Sequence, residues 1–83
     1  MDDTRKRLLY RSTHRGTREA DRLVGGFAQA HLNGLDAAQL GRFEALLEES
    51  DVDLVNWLTG RVTPLPEQHR VLLDLIIKFK NNL

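Results

Sequence analysis

From Thr17 onward the apolar residues Ala20, Leu23, Val24 and Phe27, followed by His31 or Leu32, recur at steps of three and four. That is the inner stripe of an amphipathic helix and not the alternation of a strand. The same spacing returns at Leu40, Phe43, Leu46 and Leu47. Helix-stopping and helix-starting residues separate the two stripes: Asn33-Gly34 ends the first, and Asp36 with Gln39 three residues later has the offset of a capping box. Ahead of them a short helix spans about Thr4 to Ser12, with Leu8 and Leu9 inward, and Ser12 to Gly16 interrupts it. The helix opened at Asp36 ends near Ser50. A short helix through Asp53 to Thr59 is closed by Gly60, and Pro66 suits the first position of a last one. Its run Val71-Leu72-Leu73-Asp74-Leu75-Ile76-Ile77 is apolar nearly all round, which predicts a central helix surrounded by the others. Val62-Thr63 is too short for a strand and Pro64 breaks it. The pattern predicts an all-α fold, a small five-helix bundle forming one domain over residues 1–83. Its expected core is Leu23, Val24, Phe27, Phe43, Leu46, Leu47, Leu58, Leu72, Leu75, Ile76 and Phe79. Trp57 is expected to be buried as well.

A bundle of 83 residues has too small a core to enclose a substrate. The chain has no cysteine, which excludes disulfides, thiolate metal sites and thiol catalysis together. Met1-Asp2-Asp3 lacks the basic and apolar regions of a signal peptide, and no apolar run approaches the roughly 20 residues of a membrane span. A cytoplasmic protein without membrane insertion is expected. The 12 basic and 12 acidic residues balance but are unevenly placed. Residues 1–22 hold seven basic residues against four acidic ones, whereas residues 44–57 carry Glu44, Glu48, Glu49, Asp51 and Asp53 and no cation. A dipolar molecule with a basic N-terminal pole is expected. Gly25-Gly26 lies inside the second helix, where each glycine costs about 1 kcal/mol relative to alanine, so a close approach of two helices is expected there.

His14, His31 and His69 show no metal-ligand spacing, and no metal is assigned. His31 is expected to pack at the end of its helix, and His69 to lie on an exposed face. Ser12 and Ser50 lack the glycine-framed elbow of a nucleophile, and Glu48 and Glu49 diverge on a helix and read as solvent face. No catalytic constellation is present. Asn56 to Gly60 followed by Pro64 has the outline of the end of a repressor-type helix-turn-helix. Asp51 and Asp53 would however meet phosphates with like charge, so nucleic acid is not the expected partner. A small DNA-binding regulator and a generic protein-interaction module remain the alternatives. In His14-Arg15-Gly16-Thr17-Arg18-Glu19, Gly16 can adopt a positive φ or serve as a cap, and Glu19 favours the N-terminal end of a helix dipole. Two readings stay open: an ordinary helix start, or a small-residue gap between an arginine fork and a carboxylate on which another backbone can sit.

At these residues the chain resembles the succinate dehydrogenase flavinylation factor family. The matching elements are Arg7-Leu8-Leu9-Tyr10-Arg11-Ser12, the R-G-x-x-E element at Arg15, Gly16 and Glu19, Phe27, and His31-Leu32. They continue as Leu46-Leu47, Asp51-x-Asp53-Leu54-x-x-Trp57 and Pro64-x-Pro66-Glu67, so the resemblance covers about residues 5–79. Two positions depart from the family pattern: Thr17 stands where methionine is usual, and His14 where a second basic residue is common. The short N-terminus resembles bacterial members. The resemblance implies a five-helix, non-enzymatic assembly factor with no cofactor of its own, monomeric when free. Its implied partner is the flavoprotein subunit of succinate dehydrogenase, and related fumarate reductase, to which FAD becomes covalently attached. It also implies that Arg15, Gly16 and Glu19 contact that partner, supported by Arg11 and Arg18.

Overall fold

The computed structural model describes all of residues 1–83 as helices and connections, with no strand. Helix α1 spans Asp3–Thr13. Helix α2 covers residues 18–31: a first α-helical turn Arg18–Ala20, a π-helical turn Asp21–Gly25, and an α-helical end Gly26–His31. Helix α3 is Ala37–Leu46, α4 is Asp51–Leu58 and α5 is Arg70–Asn81. No helix is long and apolar enough to cross a membrane.

Short polar side chains begin the first four helices, each satisfying a backbone N–H that the helix leaves unpaired. Asp2 accepts from Arg5 N, Thr17 from Ala20 N, and Ser50 from Asp53 N. Asp36 and Gln39 form the expected capping box, each side chain accepting from the other's backbone N–H. The fifth start differs from expectation. Pro66 is extended, and a 3-10 turn Glu67–His69 precedes α5.

The core holds 16 buried apolar residues drawn from all five helices and their connections. Nine of the eleven expected core residues are among them, while Leu75 and Phe79 are half-buried against the cluster, as is Trp57. Leu8, Leu54 and Leu73 are fully buried too. Helix α5 is not surrounded: Leu72, Leu73 and Ile76 face inward, but Val71 is 49% exposed and Asp74 lies in solvent. One side of α5 covers the core and the other forms surface.

The expected close approach occurs at Gly25. A Cβ there would lie 3.0 Å from the backbone oxygen of Ser12 and 3.0 Å from Thr13 Cγ2, so the end of α1 packs directly on the bare backbone of α2. Gly26 makes no such approach, since its nearest neighbour would be Phe79 Cε2 at 3.9 Å.

The expected dipole is absent, because the basic and acidic stretches face each other. Arg7 pairs with Glu44 at 2.8 Å, Arg11 with Glu48 at 3.1 Å and Arg15 with Asp51 at 2.8 Å. The pairs advance in step along both segments, so the stretch from Arg7 to Arg15 and the stretch from Glu44 to Asp51 run in the same direction.

Candidate partner-binding site

The R-G-x-x-E element occupies the connection from α1 to α2 and the first turn of α2. Its arginine points into the protein. Arg15 Nε donates to Asp51 Oδ1 at 2.8 Å, one terminal nitrogen to the Leu47 carbonyl at 2.6 Å, and the other to the Glu49 carbonyl at 2.6 Å. Leu47 and Glu49 lie just past the end of α3, where carbonyls lack intrahelical partners and the dipole is negative, so a guanidinium satisfies both needs. The Arg15 side chain is 11% exposed and that of Asp51 17%. The arginine fork is therefore not available to a partner; it fastens the α1–α2 connection onto the α3–α4 connection. The Arg15 backbone N–H in turn donates to Asp21 at the beginning of the π turn.

Held in this way, Gly16 is exposed with φ +111°, a conformation that L side chains rarely adopt. A Cβ at Gly16 would meet only Asp51 Oδ2, at 3.8 Å. Backbone geometry therefore requires the glycine, and the space before it is open. Thr17 caps α2, so Gly16 is not the cap. Thr17 and Glu19 form one wall of a shallow groove of about 240 Å³ whose other side is Asp51, Val52, Val55 and Asn56 of α4, with Arg61 at its end. Val52 is 70% exposed beside this groove. Arg18 is exposed and forms no ion pair, whereas Arg11 is held by Glu48. Nearby, the exposed Tyr10 ring stacks on His14, with centroids 4.0 Å apart and planes 15° from parallel. His14, which departs from the family pattern, is thus braced by an aromatic face.

Of the five residues singled out by sequence, Gly16, Arg18 and Glu19 are displayed together, Arg11 is displayed but paired, and Arg15 lies beneath them. Sequence reasoning missed Asp21, the Leu47 and Glu49 carbonyls, and the α4 side of the groove. Asp51 and the tryptophan helix were visible as a motif; their proximity to Gly16 was not, because it depends on a contact 36 residues away in the chain. His69 is a second correction. It is 8% exposed rather than solvated, because the 3-10 turn before α5 directs it inward. Its Nε2 lies 3.0 Å from Glu49 Oε2 and its ring 6.1 Å from that of Trp57. Glu49, expected in solvent, is half-buried by this contact. Its carbonyl is held by Arg15 and its carboxylate by His69. No three His, Cys, Asp or Glu side chains gather where they could hold a metal ion.

The profile of the family described as flavinator of succinate dehydrogenase matches residues 6–80. The chain belongs to this family. Among curated relatives of the flavinator family, the FAD assembly factor SdhE of Acetobacter pasteurianus is 47% identical over 64 residues, covering 77% of this chain and 58% of the relative. The mitochondrial succinate dehydrogenase assembly factor 2 of Meyerozyma guilliermondii is 44% identical over 69 residues, covering 80% and 51%. That of Candida glabrata is 40% identical over 70 residues, covering 82% and 46%. The chain spans about half the length of the curated relatives it matches. The flavinator match takes in the Arg15 anchor, the Gly16 edge and the α4 groove together.

Proposed function

We propose that this chain is an assembly factor that binds the flavoprotein subunit of succinate dehydrogenase and promotes covalent attachment of FAD to it. The observation that carries this reading is the Gly16 edge: an exposed backbone in a left-handed conformation, locked from below by Arg15, in a member of the flavinator family. A partner backbone approaches Gly16 closely, Glu19 and Arg18 hydrogen-bond around it, and Arg11, held by Glu48, borders the contact. Arg15 acts as a positioning residue beneath the contact. Residues 1–83 act as one domain, monomeric when free and cytoplasmic, and fumarate reductase is served through the same surface.

The chain supplies no acid, base or nucleophile in this reading. By binding one domain arrangement of the flavoprotein more tightly than the others, it raises that arrangement's population and holds flavin and acceptor histidine in reactive geometry. FAD belongs to the partner.

The test uses purified apo-flavoprotein, FAD and this chain, with covalent flavin followed by in-gel fluorescence. Gly16→Ala and Gly16→Arg both bear the strain of a positive φ, about 1–3 kcal/mol, but only the arginine blocks close approach. Gly16→Arg is expected to abolish stimulation while Gly16→Ala retains part of it. Full stimulation by Gly16→Arg, or flavin covalently attached to this chain, would overturn the reading.

A further inference from the structure

Five of the twelve basic residues form ion pairs: Arg5, Arg7, Arg11, Arg15 and Arg70. Of the seven that form none, three stand around a single aromatic side chain, Phe79. Lys78 lines a groove of about 390 Å³ whose apolar surface is Phe27, Leu35, Leu75 and Phe79. Arg22 and Lys80 line a smaller groove of about 240 Å³ on the other side of Phe79. No aspartate or glutamate lines either groove. Asp74, the one carboxylate on α5, lies a turn before Lys78 and outside both. The His31 ring stands edge-on to Phe79, with centroids 5.2 Å apart, and 5.4 Å from Phe27, so the floor is aromatic and built from two helices. The larger groove lies at the far end of α2 from Gly16. Fourteen residues of helix separate Thr17 from His31, about 20 Å at 1.5 Å per residue.

We propose that the α2–α5 seam is a second docking surface, and that its occupant is an acidic peptide segment carrying one bulky apolar side chain. Charge complementarity decides the occupant. Elsewhere on the molecule three of the four cations of α1 are paired within their own chain, whereas here three unpaired cations frame half-buried aromatic surface. A carboxylate-flanked phenylalanine, tryptophan or leucine meets both features at once: the apolar group enters the groove, and the flanking carboxylates reach Lys78 on one side and Arg22 or Lys80 on the other. The groove is at the small end of ligand-pocket volumes, about 300–1,000 Å³, which suits a side chain rather than an entire small molecule. Burying one aromatic side chain removes about 150–250 Å² from water, and the lysine and arginine pairs set orientation and on-rate. The proposal stands apart from the flavoprotein reading, since it uses none of the residues around Gly16.

The full chain is used to select from a phage-displayed library of random dodecapeptides. Enrichment of sequences with acidic residues around an aromatic or leucine is expected. In ¹⁵N-resolved spectra, the enriched peptide is expected to shift amides of Phe27, His31, Lys78 and Phe79 and to leave those of Gly16 and Val52 in place. Arg22→Glu combined with Lys78→Glu, two exposed residues with no ion pair to lose, should weaken that peptide at least tenfold. Lys6→Glu combined with Arg42→Glu changes net charge equally and should have less than a threefold effect. Enrichment without acidic residues, shifts centred on Gly16, or equal losses in the two double variants would each overturn the proposal. So would retention on phosphatidylglycerol vesicles, sensitive to Arg22→Glu with Lys78→Glu, with no peptide enriched.

Discussion

Replacing Arg15 with alanine removes three hydrogen bonds from one buried cation and leaves their acceptors behind. Those acceptors are the Asp51 carboxylate, 17% exposed, and the carbonyls of Leu47 and Glu49. Single hydrogen bonds to charged groups contribute about 1.5–3 kcal/mol each. They are not additive when they share one side chain. The comparison that fits is removal of one member of a buried ion pair, about 3–5 kcal/mol. For a domain of this size about 4–8 °C in Tm accompanies each kcal/mol, so Arg15→Ala should lower Tm by about 12–40 °C. Arg15→Lys keeps the charge but cannot span three acceptors, and should lose about half as much. Thermal unfolding followed by far-UV circular dichroism measures both. The double variant Arg15→Ala with Asp51→Ala should recover part of the loss, since no carboxylate is then stranded. A Tm shift below about 5 °C for Arg15→Ala would refute the anchoring role and return the guanidinium to the partner.

Gly25→Ala places a methyl group 3.0 Å from the Ser12 carbonyl, which as backbone cannot turn aside; a loss of about 1–3 kcal/mol in urea unfolding is expected, and an unchanged midpoint would refute the close-packing argument. His69→Leu strands the half-buried Glu49 carboxylate and should cost about 1–2 kcal/mol. It should also change the emission of Trp57, the only tryptophan, whereas a fluorescence spectrum identical to wild type would place His69 back in solvent. Hydrogen bonds from the Arg5 backbone, then from its side chain, hold the Asp2 carboxyl below the usual aspartate range. Its cap on α1 is therefore in place above the unfolded-state pKa and is lost as pH falls through the lowered value. A carboxyl titration by NMR at or above the ordinary aspartate midpoint would contradict this.

How much of this molecule its sequence displays depends on the range of the interaction involved. Helix starts were legible because a cap and its target lie three residues apart, as at Asp36 and Gln39. Inner stripes were legible because burial follows helical period. Two kinds of feature escaped. His69 looked exposed because it was placed on a regular helix, and a 3-10 turn changes the direction of its side chain. The charge distribution looked dipolar because linear charge runs carry no information about what they face; Arg7, Arg11 and Arg15 meet their partners across 36 or 37 residues of chain. The motif arginine was legible as important and misread in direction, since an interior clamp and a displayed fork use the same residue.

The spacing of the three ion pairs has a consequence for how α1 finds its place. Arg7, Arg11 and Arg15 repeat every four residues, and so do Glu44 and Glu48. Slid back one turn, about 6 Å at 1.5 Å per residue, Arg11 would meet Glu44 and Arg15 would meet Glu48, so both acids would still find an arginine. The first two rungs of this ladder therefore cannot tell one register from the next. The third can. Its acid, Asp51, follows Glu48 by three residues and lies beyond the end of α3, and the Arg15 fork also closes on two carbonyls that occur only where that helix stops. In that slipped alignment Arg15 falls short of the helix terminus, so Arg15 acts as the index pin that tells α1 where along its neighbour to halt.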